Sequence, residues 1–149
     1  MTTEKLSAIS RLDIDHFNYP ENDKTTKIRR WFWSLVLRLA IAAGRPVILV
    51  GAARTGKTRL LDAMFPTKDH QKSPTLVVDD CQPEDALMLK LTVQRLAVMN
   101  EPFCLATQRY MDVRGVVDTY RAVLGASRVL IVVVGGKKNP HAVLQELPQ

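Results

Sequence analysis

Four short apolar runs constrain this 149-residue chain more than any other feature of it. Pro46-Val-Ile-Leu-Val50, Thr75-Leu-Val-Val78, Phe103-Cys-Leu-Ala-Thr107 and the run from Arg128 to Val134 are continuous and rich in β-branched residues. A strand with one wet face alternates apolar and polar residues, whereas a strand buried on both faces reads as an unbroken apolar run. Stretches of helical periodicity separate these runs, and buried strands alternating with amphipathic helices imply parallel βαβ units. The expected architecture is a three-layer α/β fold, a mainly parallel sheet of about four to five strands flanked by helices. It forms a single domain over residues 27–149, with residues 1–26 as a polar arm or cap marked by Asn18, Pro20, Glu21, Asn22 and Asp23.

The first helix is expected over 27–43. Ile28, Trp31, Phe32, Leu35, Leu39 and Ala42 recur at three- and four-residue steps and form one apolar face, while Lys27, Arg30, Ser34 and Arg38 form the opposite stripe. Gly44 ends it. Packing on the sheet is the expected fate of this helix, with an edge of Trp33, Arg30 and Arg38 left to touch DNA or a partner. Further helices are expected from Lys57 to Phe65, from Pro83 to Asn100 with Leu89, Val93 and Leu96 inward, and from Asp112 to Gly125. A polar loop fills 66–74, and Asn139-Pro140 starts a short C-terminal helix.

Charge and cysteine usage narrow the setting. Lys plus Arg number 21 and Asp plus Glu 15, a net +6 that favours polyanionic partners or simply a soluble surface. Cys81 and Cys104 form no C-x-x-C pair and read as free thiols in a reducing cytoplasm. His16, His70 and His141 share no metal-ligand spacing and read as surface or turn residues. No signal-peptide pattern opens the chain. Trp31 to Val50 is the one stretch that resembles a membrane span, but Arg38, Gly44, Arg45 and Pro46 break it into a helix and a strand.

The second constraint follows the first apolar run directly. Gly51-Ala52-Ala53-Arg54-Thr55-Gly56-Lys57-Thr58 matches G-x-x-x-x-G-K-[ST] without deviation, between an expected strand and an expected helix. Glycines let such a loop curl so that its N–H groups converge on phosphate, and the helix N-terminus adds positive charge. The pattern assigns Lys57 to the β- and γ-phosphates of a nucleoside triphosphate, with ATP expected, and the Thr58 hydroxyl to Mg²⁺. Arg54 reads as surface-exposed, with contact to phosphate or to a neighbouring subunit as the alternative.

A carboxylate at the end of a nearby strand completes such chemistry. Asp79 ends the second run and is the candidate for the Mg²⁺ shell; Asp80 is either a residue that activates water or a cap for the helix near Pro83. Glu84 is a weaker substitute for the base. Gln108, just past the third run, is either a nucleotide sensor or an ordinary polar loop start. Arg109, Arg114, Arg121 and Arg128 are candidate trans-acting fingers in an oligomer, each of which reads singly as a surface residue.

The Gly51–Thr58 loop, the strand ending Asp79-Asp80 and the later strand ending Ala106-Thr107-Gln108, in this order, resemble the additional-strand P-loop ATPases. Within them the strand-then-Gln feature looks like the DNA-pumping branch: FtsK and HerA translocases, conjugative coupling proteins and zonula occludens toxin-like phage proteins. The resemblance covers roughly residues 45–135. It implies ATP hydrolysis with Lys57 and Thr58 on phosphate and Mg²⁺, Asp79 on Mg²⁺, Asp80 in place of the catalytic Glu and Gln108 as sensor. It also implies homo-oligomeric rings, often DNA as partner, and a loop strand between the last strand and the Gln108 strand; a larger protein partner is a further expectation. Lys57 and Asp79 are separated by only about 20 residues, where larger motors insert a strand and a helix, and no appended DNA-gripping domain is expected. A reduced ATPase, plasmid- or mobile-element-encoded, fits better than a full motor. The chain has no N-K-x-D guanine-reading motif and lacks the early lysine of the partition ATPases' loop. A nucleotide-dependent interaction module with little hydrolysis, and a small-molecule kinase using Arg109 to Arg121 as a lid, are the alternatives.

Overall fold

The computed structural model describes residues 10–14, 24–51, 56–65, 75–124 and 129–134. Five strands, β1 (Ser10–Ile14), β2 (Val47–Val50), β3 (Leu76–Val78), β4 (Phe103–Thr107) and β5 (Leu130–Val134), form one all-parallel sheet in the order β1-β5-β2-β4-β3. Among the described residues four α-helices accompany them: α1 (Lys24–Ala42), α2 (Lys57–Met64), α3 (Ala86–Val98) and α4 (Arg114–Leu124). The four expected strands are present. β1 is an addition, an edge strand within the segment expected to be an arm or cap.

Each strand side chain points to the face opposite its neighbour's, so each interior strand feeds two cores. Ile48, Val50, Phe103, Leu105, Ile131 and Val133 face α3 and α4. Val47, Leu49, Cys104, Ala106, Val132 and Val134 face α1 and α2. That is why β2, β4 and β5 are buried along their whole length. On the α3/α4 side, Phe103 and Tyr120 meet edge to face at 5.2 Å and 75°, a geometry that contributes about 0.5–1.5 kcal/mol beyond burial. β3 differs from expectation: its three residues are only half-buried, because a strand at the sheet edge has a neighbour on one side alone.

Helix ends follow local chemistry. Gly44 (φ 86°) ends α1 in a double-bonded C-cap, its N–H reaching Ile41 O at 2.9 Å while Arg45 N reaches Ala40 O at 3.0 Å. Asn100 (φ 59°) does the same for α3, with Glu101 N on Leu96 O at 2.9 Å. Asparagine tolerates the left-handed region better than most residues. Leu89 and Val93 are buried on α3 with Leu96 partly so, as their spacing predicts.

Helix α1 overturns its predicted face. Ile28, Trp31, Phe32, Leu35 and Leu39 are exposed, and Ser34, Leu37 and Ile41 are buried instead, with Trp33 and Ala40 packed beside them. The helix carries apolar residues around most of its circumference, so periodicity alone admits two faces. The narrow side chains Ser34 and Ala40 fit the packed side, and Ser34 Oγ donates to Trp31 O at 2.7 Å, leaving no hydroxyl stranded. The basic-aromatic edge is accordingly formed by Trp31, not Trp33, beside Arg30 and Arg38. Among the described residues no helix is long and apolar enough to cross a membrane. Cys81 and Cys104 are buried and unbridged.

Candidate functional site

Because the sheet is all-parallel, the C-terminal ends of β2, β4 and β3 open on one edge, side by side. Tyrosines aside, Ser34, Lys57 and Thr107 are the buried polar or charged side chains among the described residues, and two of the three sit at this edge. Buried lysine is rare without a partner.

After β2 the chain turns at Gly51, which is buried and whose N–H donates to Thr107 O at 3.2 Å. Ala52, Ala53, Arg54 and Thr55 lie outside the described residues. The chain re-enters at Gly56, the N-cap of α2, with φ 95° and ψ 15°. That left-handed conformation costs a residue with Cβ about 1 kcal/mol or more, so glycine is required for the abrupt start of the helix. Lys57 is the first helical residue and is 8% exposed; its Nζ donates to the Gly51 carbonyl across the mouth of the loop. Burial lowers the Lys57 pKa from its ordinary value, and the carboxylates of Asp79 and Asp80 act in the opposite sense. The ammonium is therefore held in a poorly solvated position, within electrostatic influence of the acidic strand end. Thr58, the next residue, is exposed on the first turn of α2.

After β3 the chain folds back onto β4. Asp79 is half-buried, and Asp80 is exposed at φ 53°, a conformation uncommon outside glycine. The Asp80 carboxylate accepts from Gln82 Nε2 at 3.0 Å. The capping role considered for Asp80 falls to other residues: Gln82 and Asp85 form the capping box of the 3₁₀ turn Pro83–Asp85, with Gln82 N on Asp85 Oδ2 at 3.1 Å. Glu84 is exposed in that turn.

Sequence reasoning passed over Thr107 as a site residue. Its hydroxyl lies 3.3 Å from Cys81 O and 3.1 Å from Arg109 O, while Cys81 N donates to Ala106 O at 2.8 Å. With the bond from Gly51, this fully buried threonine ties the ends of β2, β3 and β4 together. A threonine ending an otherwise apolar strand was the available signal. Burial pushes the neighbouring Cys81 thiol up to about 12, so it is no nucleophile near neutrality.

Gln108 and Arg109 are exposed just beyond this junction. Arg114 and Arg121 both approach Asp118 on their own helix, at 4.0 and 3.4 Å. Arg128, the three histidines, the 66–74 loop and the C-terminal helix expected at Asn139-Pro140 lie outside the described residues. The structure thus brings Gly51, Gly56, Lys57 and the Asp79-Asp80 pair to one edge, and leaves Gln108 on its rim.

No protein-family model matches the chain, and neither curated proteins nor solved structures provide a match.

Proposed function

We propose that this edge binds a nucleoside triphosphate, expected to be ATP, and that the protein is an ATPase of the additional-strand P-loop type. The observation that carries the reading is Lys57: a buried ammonium at the head of a helix, behind a left-handed glycine, hydrogen-bonded to Gly51 O and under the influence of two carboxylates. A strand, β4, lies between the loop strand β2 and the Asp79 strand β3, and β2 lies between β5 and β4. That order supports the resemblance.

In this reading the loop N–H groups and the N-terminus of α2 hold the phosphate chain, and the Lys57 ammonium moves from Gly51 O to the β- and γ-phosphate oxygens. Gly51 O serves as a resting partner that keeps the buried charge satisfied before the nucleotide arrives. A divalent cation suits the donor set, since the Thr58 hydroxyl and the Asp79 carboxylate are hard oxygen ligands. Among the described residues no group of three or more His, Cys, Asp or Glu comes together, so phosphate and water would complete its shell. Such an ion would neutralise charge on the phosphates. Asp80 would orient water, and Gln108, on the rim, would report the nucleotide state.

One observation favours a second reading, a binding switch that hydrolyses slowly. The Asp80 carboxylate is engaged by Gln82 and solvent-exposed, so it is neither free nor poised as a strong base. DNA as partner rests on the net +6 charge and the resemblance.

Phosphate release from ATP, measured for the wild type and Lys57→Ala with and without single- and double-stranded DNA, tests these readings. Turnover lost in the variant supports the ATPase, and stimulation by DNA supports the DNA link. Turnover retained in Lys57→Ala would remove the site assignment. Tight Mg²⁺-dependent ATP binding without turnover would favour the switch.

A further inference from the structure

The outward face of α1 lies apart from the residues proposed to bind nucleotide. Ile28, Trp31, Phe32, Leu35 and Leu39 follow one another at helical spacing and are 65, 65, 50, 42 and 62% exposed. A contiguous apolar stripe of this kind marks an interaction surface, because monomers seldom leave one uncovered. Helix α1 itself carries one sign of charge, with Lys27, Arg29, Arg30 and Arg38 and no acidic residue. Along one border, Lys27, Arg30 and Arg38 line a groove of about 280 Å³ together with Trp31 and Ala63 of α2.

We infer that α1 docks the protein flat on an anionic lipid bilayer, with the apolar stripe at the level of the acyl chains and the flanking cations on lipid phosphates. Three observations select this occupant. A second copy would bring like charges onto both borders, which opposes self-pairing. Nucleic acid offers stacking to Trp31 and Phe32 but no complement to Ile28, Leu35 and Leu39. The outer side of α1 is a ridge, and a fluid interface takes a ridge without a matching groove while supplying apolar and anionic groups at adjacent depths. Lys/Arg borders around Trp, Phe and Leu are the composition of helices that lie in the membrane interface. The groove beside Trp31, lined by Lys27, Arg30 and Arg38, has the volume to take a lipid phosphate. The helix does not cross the bilayer; its other face is committed to Leu60 and the sheet.

The test is co-sedimentation of the full chain with phosphatidylcholine vesicles, with and without equimolar phosphatidylglycerol, followed also by tryptophan emission. Sedimentation and a blue shift are expected with the anionic vesicles only, and both should weaken as salt rises. Lys27→Ala with Arg38→Ala should lower partitioning roughly 25-fold, at about fivefold per cation. Trp31→Glu with Leu39→Glu should abolish it while leaving far-ultraviolet circular dichroism and ATP binding unchanged, since both positions are exposed. No sedimentation with anionic vesicles at low salt would overturn the inference. So would equal binding by the Glu variant, or a wild-type dimer that this variant dissolves in the absence of any vesicle binding. Loss of ATP binding in Lys57→Ala with vesicle binding retained would separate the two conclusions.

Discussion

The two strand ends that meet at the candidate site are built to different standards. Beyond β2, Gly56 adopts the one backbone conformation that lets α2 start abruptly, and Lys57 is buried with a fixed partner in Gly51 O. Beyond β3, Asp80 is exposed, sits at an unfavourable φ of 53° and gives its carboxylate to Gln82. In the proposed reading, Lys57 at the first end already has its charge held beside the helix start, and it has only to exchange Gly51 O for a phosphate oxygen. The second must break a hydrogen bond before it can act on water. In the proposed reading this makes phosphate capture and hydrolysis separable, with the better-ordered end being the one proposed for capture.

The largest effect should come from the organised end. Lys57→Ala removes up to two charge-assisted contacts to phosphate, about 3 kcal/mol, so nucleotide affinity should fall roughly 100-fold by calorimetry. An unchanged Kd would break the comparison. At the other end, Asp80→Glu lengthens the side chain beyond the reach of its present bond. A rise in kcat of roughly tenfold is expected, a part of the 10²–10⁴ that a positioned base contributes. A fall in kcat would show that Asp80 is already well placed.

A smaller effect is expected from pH. Burial lowers the Lys57 pKa below 10.5, and only the charged form holds phosphate, so affinity should decline before the pH reaches that value. Asp79 acts to raise this pKa, so Asp79→Asn should move the decline to lower pH. Stability runs the other way. The unfolded lysine keeps its proton to higher pH than the folded one, so this group's contribution to stability rises through the same window. Titration of Kd in both proteins reads the limb directly, and coincident limbs would mean that the two strand ends do not sense each other. The smallest effect belongs to the tie between them. Thr107→Val deletes the hydroxyl beside Cys81 O and Arg109 O and should cost about 1 kcal/mol in chemical denaturation, with the Gly51–Thr107 backbone bond intact.

Much of this was legible in the chain because it is local. An unbroken Val-Ile-Leu-Val run requires burial on both faces, and a glycine before a helix start allows a sharp entry, whatever the rest of the molecule does. Those two facts determined the parallel sheet, the strand–loop–helix around Lys57 and the acidic end at Asp79. Tertiary structure alone decided the remainder. Ser10–Ile14 is too short and polar to announce a strand, and exists because β5 offers an edge to pair with. Thr107 became a hub only when Gly51 and Cys81 were brought beside it. Helix α1 had two apolar faces of comparable strength, and the choice fell to the side that α2 and the sheet could pack against. Periodicity reports how many faces a helix could bury, whereas only the shape of its neighbours decides which one it does.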